Sequence, residues 1–178
     1  MDKIEKLIII GSGPAGLTAA IYAARGNLNP LVIAGRHAGG QLMLTSDVDD
    51  FPGFAEGIQG PELMMKMRRQ AERFNTRFVS ENVISVDLKK KPFEIKTETC
   101  NLKTATLIVA TGASAEWLGL PSEHRLIGKG VSACAVCDGF FFKDKDVIVV
   151  GGGDAAMREA QYLAKIAKSL TVVHRRDK

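Results

Sequence analysis

The feature that most limits the fold is a glycine-rich turn that occurs twice, each time between an apolar run and a helix-forming run. The first is Gly11-Ser12-Gly13-Pro14-Ala15-Gly16, which follows the apolar residues 4–10 and opens residues 15–24, rich in helix formers. Pro14 suits the first helical turn, where its missing N–H is no loss. Gly11 permits the tight turn, Gly13 lets backbone approach a pyrophosphate, and Gly16 allows close helix packing. Free N–H groups at the helix start then favour phosphate charge. Gly26 stops the helix and residues 30–34 read as a second strand, completing a βαβ unit of about thirty residues. A glycine turn without a ligand is the bland alternative; the strand–turn–helix setting favours a dinucleotide.

A ribose-binding acid is expected about twenty residues beyond such a motif. Here the end of the second strand reads Ala34-Gly35-Arg36. The ribose must be held otherwise, with the Gly39-Gly40-Gln41 loop as the candidate, and a plain NAD site is disfavoured. The second motif, Gly151-Gly152-Gly153-Asp154-Ala155-Ala156, has the G-x-G-x-x-A form and again follows a strand-like run, residues 146–150. Its own second strand ends in His174-Arg175-Arg176, without an acid. Arginine pairs a 2′-phosphate where a carboxylate would repel it, so this unit is expected to take NADPH rather than NADH. A surface charge cluster is the alternative.

Between the two motifs lies Cys134-Ala135-Val136-Cys137-Asp138-Gly139. Two cysteines three apart can close a disulfide if they begin a helix, whose dipole also favours a thiolate. Asp138 beside them is a candidate proton relay, since each exchange step needs a thiol or thiolate in the right state. For the pair taken alone, half of a zinc site and two core cysteines are alternatives. Cys100 has no partner in sequence and reads as structural. Three cysteines are too few for a disulfide scaffold or a four-cysteine zinc site, and no metal is expected. Two nucleotide sites and a redox pair imply one circuit: hydride passes from a nicotinamide to a flavin, and electrons pass on to a disulfide.

Composition narrows the partners. The chain is 46% apolar and 25% charged, a globular profile that argues against disorder. Its net charge of +4 would admit an anionic partner, but the basic residues are scattered. Lys89-Lys90-Lys91 sits between two strand-like runs as a solvated hairpin tip, so no nucleic-acid partner is expected. No apolar run reaches the length of a membrane span. The N-terminal one is short and lies beside acidic Asp2 and Glu5, which spoils a signal sequence. A cytoplasmic, reducing setting without membrane contact follows as the expectation.

Residues 35–60 read as a long loop, of the kind that is usually functional. Residues 61–74 carry Leu63, Met64, Met67, Ala71 and Phe74 at helical spacing, the methionines as core packing. Residues 77–79, 83–88 and 92–97 read as strands in the manner of a meander, and residues 106–110 as a buried strand ending in Thr111-Gly112. A helix over residues 155–167 and a strand over 170–174 complete the second βαβ unit. A boundary is expected near residues 113–115. The predicted class is α/β, with a Rossmann-like FAD-binding domain over residues 1–114 and the start of a second Rossmann-like, NADPH-binding domain over residues 115–178.

These motifs together resemble the low-molecular-weight thioredoxin reductases along the whole chain. The resemblance is carried by GSGPAGLTAAIYAAR at residues 11–25, GGQL at 39–42, FPGF at 51–54 and ATGASA at 110–115. GGGDAA at 151–156 and HRRD at 174–177 are similar to the family's NADPH motifs. Most specific is GVSACAVCDGFFF at 130–142, with Val136 where a threonine is often found. The resemblance implies an NADPH-dependent thioredoxin–disulfide reductase that uses FAD. It also implies a homodimer whose two domains swing, so that the nicotinamide and the disulfide meet the flavin in turn.

By position, Gly11, Ser12, Gly13, Pro14 and Ala15 would hold the FAD pyrophosphate, with Gly40 and Gln41 nearby. Gly35, Asp50, Thr111 and Gly112 complete that set of cofactor contacts. Gly151, Gly153, Asp154 and Ala156 would serve NADPH, with His174, Arg175 and Arg176 on its 2′-phosphate. Cys137 would be the sulfur next to the flavin, Cys134 the outer thiol that attacks thioredoxin, and Asp138 the acid–base residue. Three positions depart from the pattern: Asp50 stands where asparagine is common, Ala155 lacks a frequent hydroxyl, and Arg158 replaces a usual glutamate. Family members run on past Lys178, through the rest of the NADPH domain and back into the FAD domain with a Gly-Asp motif at the flavin. Both domains are therefore expected to be incomplete, and this chain crippled alone. Competing readings are a non-catalytic flavoprotein remnant and a relative with another electron acceptor.

Overall fold

Strand β1 (Ile4–Ile10) is the axis of the first unit, for Leu7, Ile8 and Ile9 are almost wholly buried and both faces are covered. The computed structural model describes residues 3–176. The chain divides between Ser114 and Ala115 into two units. Helix α1 (Pro14–Arg25) starts on proline and ends at Gly26, and β2 (Leu31–Ile33) returns parallel to β1, with Ile8 opposite Leu31 and Ile10 opposite Ile33. The expected long loop carries structure of its own. A 3-10 turn at Gly40–Leu44 is followed by a small antiparallel pair, β3 (Asp47–Val48) and β4 (Ile58–Gln59).

Helix α2 (Gly60–Arg73) follows, then β5 (Arg77–Val79), β6 (Val83–Asp87), β7 (Phe93–Thr97) and β8 (Asn101–Val109). Leu63, Met64, Met67 and Ala71 of α2 and Leu17, Ala20 and Ile21 of α1 pack on Leu7, Ile9 and Val32 of the sheet. Met64 and Met67 are core, as their spacing predicts, while Met65 is exposed; each buried side chain contributes about 1.5–3 kcal/mol by leaving water. Ile8, Ile10, Leu31, Ile33 and Ile95 form a second cluster from the alternate residues of the same strands.

The sheet order is β5-β2-β1-β8-β7-β6. This corrects the expected meander. β6, β7 and β8 are antiparallel neighbours, but β5 pairs parallel with β2, Leu31 opposite Arg77. The crossover through α2 brings β5 back parallel, and a parallel strand is covered on both faces: Phe78 packs on one cluster and Val79 on the other. β5 and β6 are the two edges of the sheet, yet only residues 80–82 join them, a reach of about 14 Å. Edges of a flat six-stranded sheet lie roughly 24 Å apart. The sheet therefore curls, and Val79 and Val83 close on the same cluster.

In the second unit α3 (Pro121–Leu126) precedes α4 (Ala135–Asp138) and a 3-10 turn at Gly139–Phe142. Then come β9 (Asp146–Val150), α5 (Asp154–Leu163) and β10 (Ser169–Val173), with the strands parallel and Val147 opposite Leu170. Ala135, Val149, Ala160 and Leu163 form its core. Helix α5 stops four residues short of the expected 167. The chain beyond Leu163 is drawn to the loop before β9, where Asp144 N–H donates to the Ile166 carbonyl and Lys168 N–H to the Lys145 carbonyl. The strand expected to be buried at residues 106–110 is the end of β8, and Val109 is 64% exposed. Val109 pairs with Ile10 and so lies on the face opposite α1 and α2, at the open end of the strand. Helix α3 was not foreseen; its six residues are too few to show a period. Among the described residues no helix is long and apolar enough to cross a membrane.

A buried ion pair ties β1 to β5. Arg77 grips Glu5 with both Nη atoms, Nη1 donating to Oε1 at 3.0 Å, and Lys3 approaches the same carboxylate at 3.1 Å. Glu5 is 8% exposed. The hydrogen bond from Arg77 holds the Glu5 carboxyl below its usual range against the opposing effect of burial, with Lys3 assisting. A depressed folded pKa means that this stabilisation is complete above the unfolded value near about 4.3 and is lost as pH falls through the folded value. Arg77→Leu leaves the Glu5 carboxylate with Lys3 alone. Because Arg77 is partly exposed, the expected loss is on the order of 2 kcal/mol at pH 7, below that of a fully buried pair. Urea unfolding should show this loss shrinking as the pH is taken below about 4; a pH-independent loss would contradict the ion-pair account.

Candidate functional site

Both glycine motifs adopt one geometry. In the first unit the Gly11 N–H donates to the Ile33 carbonyl at 2.9 Å, and in the second the Gly151 N–H donates to the Val173 carbonyl at 2.9 Å. Each turn is thereby tied to the last residue of its second strand. Gly11 has φ +108, and a Cβ there would stand 2.1 Å from the Ala110 carbonyl oxygen; a Cβ on Gly16 would stand 2.1 Å from the Gly11 oxygen. These two positions admit glycine alone. Gly11 also abuts Thr111, so the structure brings the Thr111-Gly112 end of β8 beside the first motif.

Ser12 is 5% exposed, and its side chain turns inward. Its hydroxyl donates to the Ala34 carbonyl at 2.9 Å and accepts the Gly39 N–H at 3.1 Å. A Cβ on Gly40 would come within 3.2 Å of Gly13 Cα. The loop of Gly39, Gly40 and Gln41 thus closes on the turn of Gly11, Ser12 and Gly13. No side chain caps the first turn of α1, where Pro14 and Ala15 stand. Uncapped N–H groups, bare backbone at Gly13 and Gly40, and an inward Ser12 are what a pyrophosphate needs, so the residues fit a dinucleotide.

At the end of β2, Arg36 stands where an acid is expected. The Arg36 N–H donates to Asn82 Oδ1 at 3.2 Å and Arg36 Nε meets Glu98 Oε2 at 3.0 Å. Gly35 lies beside Asn82, and hydroxyls of Thr97 and Thr99 hold the Glu81 carboxyl below the usual carboxylate range. The Arg36 charge is committed to a carboxylate. Asn82 and Glu98 escaped the sequence reading, since nothing local marks partners 46 and 62 residues away. Asp50 lines a separate open cleft of the same unit with Phe51, Pro52, Gly53 and Phe54.

In the second unit Cys134 and Cys137 form a disulfide, with Cα atoms 5.3 Å apart. Cys134 is the N-cap of α4, and the Cys137 N–H donates to its Sγ at 3.3 Å. Asp138, half-buried, accepts from Ser132 Oγ, whose oxygen in turn accepts the Cys134 N–H at 3.0 Å. Ser132 is a residue the sequence reading missed; a serine two before the first cysteine was its only signal. Cys134 is half-buried and Cys137 exposed, while Val136, Phe140 and Phe141 lie open to solvent. Among the described residues no cluster could hold a metal ion, and Cys100 is a free, exposed cysteine. Gly153 caps α5 without a side-chain bond, Asp154 opens that helix, and Gly151 (φ +141) faces Ala156 at 3.0 Å. His174, Arg175 and Arg176 are exposed just past β10, with the His174 ring against Gly152.

Residues 5–178 match the pyridine nucleotide-disulphide oxidoreductase family. The chain belongs to that family. It is 57% identical over 174 residues to a thioredoxin reductase of Coxiella burnetii (strain RSA 493 / Nine Mile phase I), covering 98% of this chain and 54% of that protein. A glucosaminate ammonia-lyase of Pseudomonas fluorescens is 54% identical over 173 residues, with 97% and 54% covered. The crystal structure of thioredoxin reductase from Streptococcus pyogenes MGAS5005 superposes with a TM-score of 0.90 at 46% identity, over all of this chain and 58% of that one. The chain spans about half the length of the curated relatives it matches. Within the matched residues lie both glycine turns and the closed Cys134–Cys137 pair.

Ser12→Ala tests whether the first turn depends on that one hydroxyl. It leaves the Ala34 carbonyl and the Gly39 N–H unpaired and buried, a loss of about 1–3 kcal/mol. Urea melts should show it, and the Gly39 amide should exchange faster with solvent. An unchanged Gly39 amide would show that the loop is held by something else.

Proposed function

We propose that the complete protein is an NADPH-dependent thioredoxin–disulfide reductase, with FAD held by the first unit and NADPH by the second. The observation that carries this reading is the Cys134–Cys137 disulfide at the start of α4, in the same unit as the Gly151–Gly153 turn. When bound, nicotinamide and flavin supply the hydride and the electron pair that reduce the disulfide. Gly11, Ser12, Gly13, Pro14 and Ala15 hold the FAD pyrophosphate at the start of α1, with Gly40 and Gln41 nearby and Gly35, Asp50, Thr111 and Gly112 as further contacts. Gly151, Gly153, Asp154 and Ala156 serve NADPH, and His174, Arg175 and Arg176 receive its 2′-phosphate.

Two electrons and two protons convert the disulfide to two thiols. The Cys134 thiolate attacks one sulfur of the partner's disulfide, forming a mixed disulfide and releasing a partner thiolate. Cys137 then attacks Cys134 Sγ, which restores the internal disulfide and releases the second thiolate. The Cys137 N–H that points at Cys134 Sγ favours a thiolate on Cys134, which supports its role as the attacking sulfur. Asp138 gives and takes the proton. The exposed Val136, Phe140 and Phe141 beside the pair suit a protein acceptor rather than a small disulfide. An ammonia-lyase reading, on the name of one relative, has no use for a closed cysteine pair. The family pattern supports a homodimer in a reducing, cytoplasmic setting.

The test uses the reduced 178-residue chain, freed of reductant and mixed anaerobically with equimolar oxidised thioredoxin, with thiols counted on each protein by alkylation and mass. The wild-type chain should pass two electrons to thioredoxin. Cys137→Ser should form the mixed disulfide at least about tenfold faster than Cys134→Ser, the scale of one pKa unit between the thiols. Equal rates would reverse or erase the assigned roles. No transfer from the wild type would point to another acceptor.

A further inference from the structure

Gly152 is a glycine that its own turn does not need. Its backbone is not left-handed, and the three atoms nearest to a Cβ there all belong to the imidazole of His174: Cδ2 at 2.4 Å, Nε2 at 2.5 Å and Cγ at 2.8 Å. In the first unit the same middle position of the motif holds Ser12, a full side chain in an equivalent turn. What Ser12 reaches is informative. Its hydroxyl donates to Ala34, the residue just past β2, and His174 is the residue just past β10. In both units the middle residue of the glycine motif meets the position that follows the second strand. The direction of the contact is reversed. Ser12 sends a side chain inward to fix backbone, whereas Gly152 has none, so that His174 can lie back across the turn.

The two strand ends differ to match. Past β2, the cation Arg36 is bound to Glu98 and taken out of play. Past β10, Arg175 and Arg176 are exposed, directly beside the folded-back imidazole. The ring is held against the turn, and the two exposed arginines follow it directly in the chain. Such a ring gives up little further freedom when an anion arrives.

We propose that Gly152 is the specificity-determining position of the second unit: by lacking a side chain it seats His174 as a positioned donor for the 2′-phosphate of an adenine dinucleotide. This rests on the reading of the second unit as an NADPH site. Gly152 itself touches no phosphate; it acts through His174.

The experiment titrates the ¹⁵N-labelled 178-residue chain with 2′,5′-ADP and, separately, with 5′-ADP, following the Gly152, Gly153 and Arg175 amides by NMR. These amides report the second unit alone. Wild type should bind 2′,5′-ADP more tightly than 5′-ADP. Gly152→Ala should weaken 2′,5′-ADP by about three- to tenfold, the scale of one side chain that must be ordered again, and leave 5′-ADP within about twofold. His174→Ala should lose as much, and the double variant no more than His174→Ala, since both changes remove one contact. Gly152→Ala with an unchanged preference, or losses that add in the double variant, would overturn the proposal while the NADPH site stands. A wild-type chain with no preference for 2′,5′-ADP would overturn the NADPH reading and the proposal together. Gly152→Ala need displace only a side chain, and His174→Ala leaves the turn untouched, so folding does not confound the comparison.

Discussion

Each unit hangs on one hydrogen bond, from the first glycine of its motif to the last carbonyl of its second strand. The bonds from Gly11 to Ile33 and from Gly151 to Val173 have equal length and fix where a helix begins relative to two parallel strands. Everything that a nucleotide would use depends on that fixing. The helix N-terminus must face outward at the strand ends, and the next strand must stop at the level of the turn. Gly16 completes the constraint in the first unit, for its bare backbone lies on the Gly11 carbonyl and lets α1 descend onto the sheet. A helix raised by one methyl group would lose the packing of Leu17, Ala20 and Ile21 on Leu7 and Ile9. The site and the core are therefore one object.

The curl of the sheet adds a second constraint on the same strand ends. Because residues 80–82 join the two edges, Glu81 and Asn82 are brought to the end of β2, where Arg36 emerges. The carboxylate of Glu81 is in turn held by Thr97 and Thr99 from the β7–β8 turn. A flat sheet would leave Arg36 as a free cation facing a nucleotide. In the curled one Glu98 pairs with its guanidinium and Asn82 takes its backbone N–H. In physical terms, topology and not the local motif has paired the charge there.

The difference between local and non-local causes decides what was legible in the sequence. The Gly11–Gly16 turn, α1 with its Pro14 start, and the Cys134–Cys137 pair each depend on neighbours within a few residues, and each is where the motif places it. The strand at Arg77–Val79 was legible as a strand but not in its pairing, since its partner β2 lies over forty residues earlier and a crossover is invisible to turn signals. Exposure of Val109 was equally hidden, because β-branched residues read alike whether a helix covers them or not. Helix α3 had a start signal after all: Pro121 at its first turn and Glu123 accepting the Leu118 and Leu120 N–H groups. That Glu123 carboxyl sits below its usual range through those backbone donors, against its own desolvation. Contacts that join side chains across the fold, such as Arg36 with Glu98 or Gly152 with His174, left no trace in spacing.

Around the disulfide, one hydroxyl orders the chemistry under the proposed reading. Ser132 has a single proton to donate, and it goes to Asp138 Oδ2, while the Cys134 carbonyl at 3.3 Å is the poorer acceptor. A free carboxylate would present either oxygen to a sulfur. With Oδ2 taken, Oδ1 is the atom left for exchange. The two sulfurs are unequal as well. Cys134 Sγ receives the Cys137 N–H, so charge left on it is met by backbone, whereas among the described residues no hydrogen bond reaches Cys137 Sγ. When the disulfide opens, charge settles more readily on Cys134, and the proton is needed on Cys137. Asp138 is its neighbour on the same turn of α4. Ser132 binds both the Cys134 backbone and Asp138, so the thiolate position and the proton source are set by the same group. A shift in one is then a shift in the other.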